Sequence, residues 1–265
     1  VSTTRTTDLW TSAREGLDGL PGDRGLNIAY EAVDRHVAHG HGDRTALRCI
    51  DLDGQVAEHT YGDLMGSTNR FASALDTLGV GRGETVFTLL GRGVETYVVA
   101  LGTLKHGSVL SPLFAAFGPE PIRQRLALGH GRVLVTTAEL YRRRIAGLRE
   151  ELPELAHVLL VDADEVPGTA SYRRLLDESS SSYDIPATDP EDVALLHFTS
   201  GTTGTPKGAV HVHEAVVGHF ATGAYALGLG PDDVFWCTAD PGWVTGMSYG
   251  IISPLTHGAT VVCDA

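Results

Sequence analysis

The chain has 265 residues, 42% of them hydrophobic, which is enough for a sizeable core and too many for a disordered chain. Its formal net charge of −13 opposes nucleic acid and anionic membrane surfaces as partners, so any anionic ligand needs a specific site. The three cysteines, Cys49, Cys237 and Cys263, are odd in number and far apart along the chain. They make neither a disulfide framework nor a CxxC metal pair, and they point to a reducing, cytoplasmic setting.

The opening stretch VSTTRTTDLWTSAREG has no apolar run of the kind a signal peptide needs. The longest apolar stretch, residues 98–117, is interrupted by Lys105 and His106, so no membrane span is expected. The chain begins with Val1 and stops after the strand-like ATVVCDA, which reads as a partial sequence. Residues 1–60 form an N-terminal extension in this reading. From Tyr61 the pattern alternates. Leu64, Thr68, Phe71, Ala72, Leu75 and Leu78 fall at helical spacing, with Gly79 to supply a left-handed stop. Residues 85–90 read as a buried strand, 94–105 as a helix and 108–113 as a strand. Pro121 sits early in a helix near 118–128, where proline is tolerated. Residues 132–136 read as a strand; Thr136 and Glu139 have capping-box spacing for a helix to about 151; 157–162 is another strand. Apolar strands alternating with amphipathic helices predict an α/β fold of mainly parallel sheets with helices on both faces.

Residues 177–192, DESSSSYDIPATDPED, break this rhythm and read as a surface loop or a boundary. The expected division is an extension (1–60), a first α/β subdomain (61–176), the acidic loop (177–192) and the start of a second subdomain (193–265). In that last part 193–198 and 209–213 read as strands, 214–227 as a helix and 233–240 as a strand ending in an Asp-Pro-Gly turn.

Between the first two of those strands lies FTSGTTGTPKG, Phe198 to Gly208. Gly201, Gly204 and Gly208 let the backbone turn sharply and approach a ligand. Thr199, Ser200, Thr202, Thr203 and Thr205 can donate to phosphate oxygens, and successive N–H groups can form an anion-binding nest. Lys207 adds one compact positive charge. A flexible linker is the other reading, but linkers seldom join two apolar strands. The spacing is not that of the common P-loop, because Lys207 follows Pro206 and precedes Gly208 and a strand.

FTSGTTGTPKG resembles the phosphate-loop signature of the adenylate-forming enzymes, which include acyl-CoA synthetases, luciferases and peptide-synthetase adenylation domains. WCTADPGWVTG, further on, is similar to the corresponding region of acetyl-CoA synthetases. The resemblance runs from about Tyr61 to the end. It implies two half-reactions: acetate or another short-chain acid attacks the α-phosphorus of Mg-ATP, and the thiol of coenzyme A then displaces AMP. ATP, Mg²⁺ and coenzyme A are therefore the implied small-molecule partners. Lys207 would offset charge on the departing pyrophosphate. Trp243, Val244 and Thr245 match positions at the acyl pocket, with packing after a turn as the plainer reading. Arg142, within YRRR, lies near the position of arginines that face the coenzyme's phosphates; a solvated helix face explains Arg142, Arg143 and Arg144 equally well. Ala115 and Ala116 stand where many acetyl-CoA synthetases have paired glycines. A longer acid as substrate, or a truncated nucleotide-binding protein without turnover, are the alternatives. The family closes its nucleotide site with later motifs that these 265 residues lack, so the chain alone is expected to be inactive, with a sheet left open after Val262.

Two other signals carry less. Gly91-Arg92-Gly93 lacks the third glycine and the later acidic residue of a dinucleotide fingerprint. His211, His213 and His219 suggest a metal site, but no cysteine or acidic partner completes a set.

Overall fold

A computed structural model describes residues 3–164, 166–199 and 206–264. Its strands are, in chain order, β1 (Thr45–Ile50), β2 (Val56–Thr60), β3 (Thr85–Leu89), β4 (Val109–Pro112), β5 (Gly131–Thr136), β6 (His157–Leu160), β7 (Ala170–Ser171), β8 (Val193–Thr199), β9 (Lys207–Val212), β10 (Val234–Trp236) and β11 (Thr260–Asp264). Seven make one sheet in the order β7-β6-β5-β3-β4-β8-β9, and four make a second, β10-β11-β1-β2. The larger sheet is parallel throughout except for the β8–β9 pair, and the smaller is parallel except for β1–β2. Among the described residues no helix is long and apolar enough to cross a membrane.

Alternation along the central strands sorts the core into two faces. Val86, Val133, Val135 and Leu159 face one hydrophobic cluster, while Phe87, Leu89, Leu134, Val158 and Leu160 face another. The first cluster takes in helix Tyr61–Thr77 and helix Val94–His106, and continues to Leu47, Val261 and Cys263 of the smaller sheet. The second takes in Ile122 and Leu126 of helix Pro119–Leu128, with Tyr141 and Ile145. A sheet buried on both faces needs the continuous apolar runs that the sequence shows.

Helix Tyr61–Thr77 starts at a capping box: Asp63 N–H donates to Thr60 Oγ1 (3.0 Å) and Thr60 N–H donates to Asp63 Oδ2 (2.9 Å). It ends before Gly79, whose φ of +69° is the left-handed stop expected there. The cap expected at Thr136 belongs one residue later. Thr136 is a buried strand residue that donates to Leu89 O, and Thr137 Oγ1 accepts from Leu140 N–H. From there short helical segments run to Glu151.

The sheets divide the chain differently from the expected segments. β8 and β9 join the same sheet as β3 to β7, across residues 177–192. That acidic stretch is fastened rather than free: Arg70 donates to Leu176 O and Ser179 O, Asn69 to Ser181 O, and Arg24 to Asp184 and Ile185 O. Ile185 is buried against Leu20 and Tyr30. The N-terminal extension contributes β1 and β2 to the sheet that holds β11, so Val262 lies between two strands and not at an open edge. The β1–β11 pairs, such as Leu47 with Val261, link residues more than 200 positions apart, and local pattern carries no trace of them.

Candidate functional site

β8 and β9 form an antiparallel hairpin whose last register pair is Thr199 opposite Lys207. β8 is anchored from below: Ala194, Leu195 and His197 are buried, and the Phe198 ring stacks on Phe87 at 6.4 Å. β9 is an edge strand and largely exposed. Thr199 and Lys207 are both exposed at the mouth, with Thr199 Oγ1 donating to Lys207 O at 3.5 Å. The Lys207 ammonium makes no ion pair with a described residue. Ser200, Gly201, Thr202, Thr203, Gly204 and Thr205, the rest of the expected phosphate loop, lie outside the described residues.

β4 runs parallel to β8, with Leu110 opposite Leu195, so the segment leaving β4 starts at the same edge of the sheet as Thr199 at the end of β8. The segment after β4 carries Phe114 and Phe117, which pack edge to face at 5.6 Å. Trp243 closes on both, at 5.3 Å from Phe114 and 6.4 Å from Phe117. Arg125 lies 4.3 Å from the Phe117 ring centre, a cation–π contact. Gly242 makes this approach possible, since a Cβ there would sit 2.6 Å from the Leu113 carbonyl and Phe114 Cα. The turn before it is pinned by Asp240, whose carboxylate accepts the Gly242 N–H at 2.7 Å. Burial pushes the Asp240 carboxyl up, against that hydrogen bond and Arg92. Trp243 is the N-cap of the short helix Val244–Met247, and Trp243, Val244 and Thr245 are all exposed. The structure thus brings Trp243, the first of the three expected acyl-site residues, against the turn that follows β4.

It separates the arginines. Arg142 is exposed and has no partner among the described residues, and Arg143 pairs with Glu139 at 2.8 Å. Arg144 instead donates to the carbonyls of Ala115 and Phe117. YRRR is therefore not one solvated face, because its third arginine holds the Phe114–Phe117 turn. Ala115 and Ala116 form that turn without positive φ, so alanine meets no backbone penalty there. Phe114, Phe117 and Arg144 were missed as site residues. The signal was in FAAFGPEP, where two aromatics flank the alanines.

The histidines diverge. His213 is fully buried and accepts the Ile28 N–H on Nδ1 at 3.1 Å; His211 packs edge-on to His197 at 5.6 Å; His219 Nε2 meets Ser248 Oγ at 3.0 Å. Burial lowers His197, His213 and His219 to about 4. Among the described residues no group of three or more His, Cys, Asp or Glu is arranged to hold a metal ion.

Sheet, hairpin ends and aromatic turn define an α/β protein in which Thr199, Lys207 and the aromatic cluster share the carboxyl edge of a mainly parallel sheet, where ligands bind in open α/β folds. The chain belongs to the AMP-binding enzyme family, whose model matches residues 34–264. It is 40% identical to the acetyl-coenzyme A synthetase of Bacillus subtilis over 240 residues, covering 89% of this chain and 41% of that protein. The acetyl-coenzyme A synthetase of Deinococcus radiodurans is 33% identical over 252 residues, with 89% and 39% covered. Among solved structures, an acyl-CoA synthetase of Brucella canis superposes with a TM-score of 0.86 at 30% identity, over 96% of this chain and 45% of that one. The anthranilate CoA ligase AuaEII, in complex with anthranoyl-AMP, superposes with a TM-score of 0.82 at 26% identity, over 92% and 45%. The chain spans about two-fifths of the length of the curated relatives it matches.

Proposed function

We propose that this chain carries the phosphate and acyl half-site of an AMP-forming acid–thiol ligase, which activates acetate or another short-chain acid with ATP and passes the acyl group to coenzyme A. The observation that carries the reading is the hairpin itself: an anchored strand, a hydroxyl- and glycine-rich connecting sequence, and an exposed Lys207, without an ion pair among the described residues, opposite Thr199 at the edge that also bears Trp243. The family match over residues 34–264 supports it.

In the first step a carboxylate oxygen attacks the α-phosphorus of ATP and pyrophosphate leaves. The loop hydroxyls and N–H groups hold the outgoing phosphates, and Lys207 offsets their charge. Such a contribution is positional and electrostatic, and a charge-assisted contact is worth roughly 1.5–3 kcal/mol. Trp243, Val244 and Thr245 wall the acyl group. In the second step the thiol sulfur of coenzyme A attacks the acyl carbon and AMP leaves, with Arg142 facing the coenzyme's phosphates. Magnesium enters with ATP. Among the described residues no group of three or more His, Cys, Asp or Glu is placed to hold it by protein ligands alone, and a nucleotide-bound magnesium takes most of its ligands from phosphate and water.

The test is acid-dependent ATP–pyrophosphate exchange in a chimaera, with this chain replacing the matching segment of the Bacillus subtilis relative. Lys207→Ala should slow exchange about 10- to 100-fold, and leave thioester formation from supplied acyl-adenylate much less affected. Equal slowing of both half-reactions counts against the assignment of Lys207. The 265-residue chain alone is the control and should give no exchange; robust exchange by it overturns the half-site reading.

A further inference from the structure

Cys49 and Cys263 are 214 positions apart in sequence, yet they stand opposite each other in the parallel β1–β11 ladder. The Cys263 thiol donates to Cys49 Sγ at 2.8 Å. Neighbouring strands lie about 4.8 Å apart, inside the Cα separation of roughly 4.4–6.8 Å that a disulfide spans. Strand spacing and the facing sulfurs therefore place the pair within reach of a bridge. The two thiols are not equivalent. Both line an open cavity of about 320 Å³ beside Arg92, Gly93 and Glu95, but Cys263 is buried, at 3% exposure, whereas Cys49 is half-buried. The hydrogen bond from Cys263 holds the Cys49 thiol below its ordinary range, against burial; the same bond, with burial, pushes Cys263 up. Cys49 is thus the accessible nucleophile and Cys263 the sulfur waiting beside it. Cys237 lies beyond β10 and beside Gly250, outside the pair.

We propose that Cys49 and Cys263 form a reversible disulfide that ties β1 to β11, driven by a low-molecular-weight disulfide such as oxidised glutathione. The Cys49 thiolate attacks one sulfur of that disulfide. A Cys49–glutathione mixed disulfide forms and one glutathione thiolate leaves, taking up the proton that Cys49 had released. Cys263 then loses its proton and attacks Cys49 Sγ. The protein disulfide forms, and the second glutathione thiolate leaves and takes that proton. Two protein thiols are oxidised and one glutathione disulfide is reduced to two glutathione thiols. The bridge closes residues 49–263, about four-fifths of these 265 residues, into one loop, which restricts the unfolded state more than the folded one. The inference rests on the fold and the cysteine pair, and stands whether or not the functional reading above holds.

The test is thiol counting on the 265-residue chain with a maleimide-linked polymer added after denaturation. Reduced protein should label three times, and protein held in millimolar oxidised glutathione once, at Cys237. Its intact mass should fall by about 2 Da and a Cys49–Cys263 cross-linked peptide should appear. Cys263→Ser should keep one glutathione on Cys49, and Cys237→Ser should bridge as the wild type does. Melting of the bridged form should occur about 5 °C or more above the reduced form. Three labelled thiols after oxidation, a lasting glutathione adduct on wild-type Cys49, or a bridge to Cys237 would each overturn the proposal.

Discussion

Trp243 leaves 46% of its surface exposed while its ring closes on Phe114 and Phe117, and Val244 beside it is 43% exposed. Large apolar side chains held rigidly but left open to solvent suit a pocket wall. Val244→Ala should therefore shift preference toward longer acids. One methylene accommodated is worth about 1–3 kcal/mol, so the ratio of propionate- to acetate-dependent exchange in the chimaera should rise about tenfold. An unchanged ratio would remove Val244 from the wall. The two arginines of interest separate in the same assay. Arg142→Ala should raise the KM for coenzyme A and leave pyrophosphate exchange intact, because nothing described depends on its side chain. Arg144→Ala should impair exchange itself, because Arg144 holds the carbonyls of Ala115 and Phe117. The strands that flank the Gly/Thr-rich stretch were legible in sequence, since apolar runs lie on both sides of it. The partners of Trp243 were not, because ring contacts between residues 114 and 243 depend on two chain segments meeting.

Helix Val94–His106 is buried on nearly every side, and its last turn carries Lys105, fully buried. Lys105 Nζ meets Asp34 Oδ1 at 2.8 Å and donates to Asn69 Oδ1 at 2.6 Å. Burial lowers Lys105 and raises Asp34, and each partner opposes that shift in the other. Removing one charge strands the other in the core. Lys105→Met should cost about 3–5 kcal/mol in denaturant unfolding, and adding Asp34→Leu should recover most of it. A double variant no better than the single one would show that the pair does more than neutralise itself. Sequence pattern located this helix and its neighbours because apolar spacing of 3.6 or 2 survives in one dimension. It placed the helix after β5 one residue early, since Thr136 and Thr137 are chemically alike and only strand pairing consumes the first. It read Lys105 as an interruption, because the acid that neutralises it lies 71 positions away (105 − 34).

The whole molecule stores neutral histidine. His197 and His213 are buried and His36 and His219 are half-buried; all four are lowered to about 4, with loss of solvent the leading cause in each. Their folded values lie below the unfolded value near 6.5, so as pH falls the unfolded chain takes up protons first. Stability should hold above pH 6.5 and decline from there to about pH 4. By pH 5 each fully buried histidine should cost about 2 kcal/mol. Burial raises the carboxyls of Glu31 and Asp34, which works in the opposite direction as those groups protonate. Urea unfolding at pH 7 and pH 5 reads the balance. His213→Asn, which keeps an acceptor for the Ile28 N–H, should narrow the gap by about 2 kcal/mol. An unaltered gap would mean that His213 does not contribute to it.

What the sequence determined by itself was local: which stretches form strands and helices, the parallel α/β class, and a hairpin connection whose composition suits phosphate. Each of these follows from periodicity or from the chemistry of adjacent residues. The tertiary structure decided what lies across space. Residues 45–60 became half of the sheet that holds β11, the acidic stretch 177–192 was fastened to the surface, and Cys49 met Cys263. It also assigned Arg144 to the aromatic turn. These depend on which buried faces complement one another, and that is a property of the packed chain as a whole.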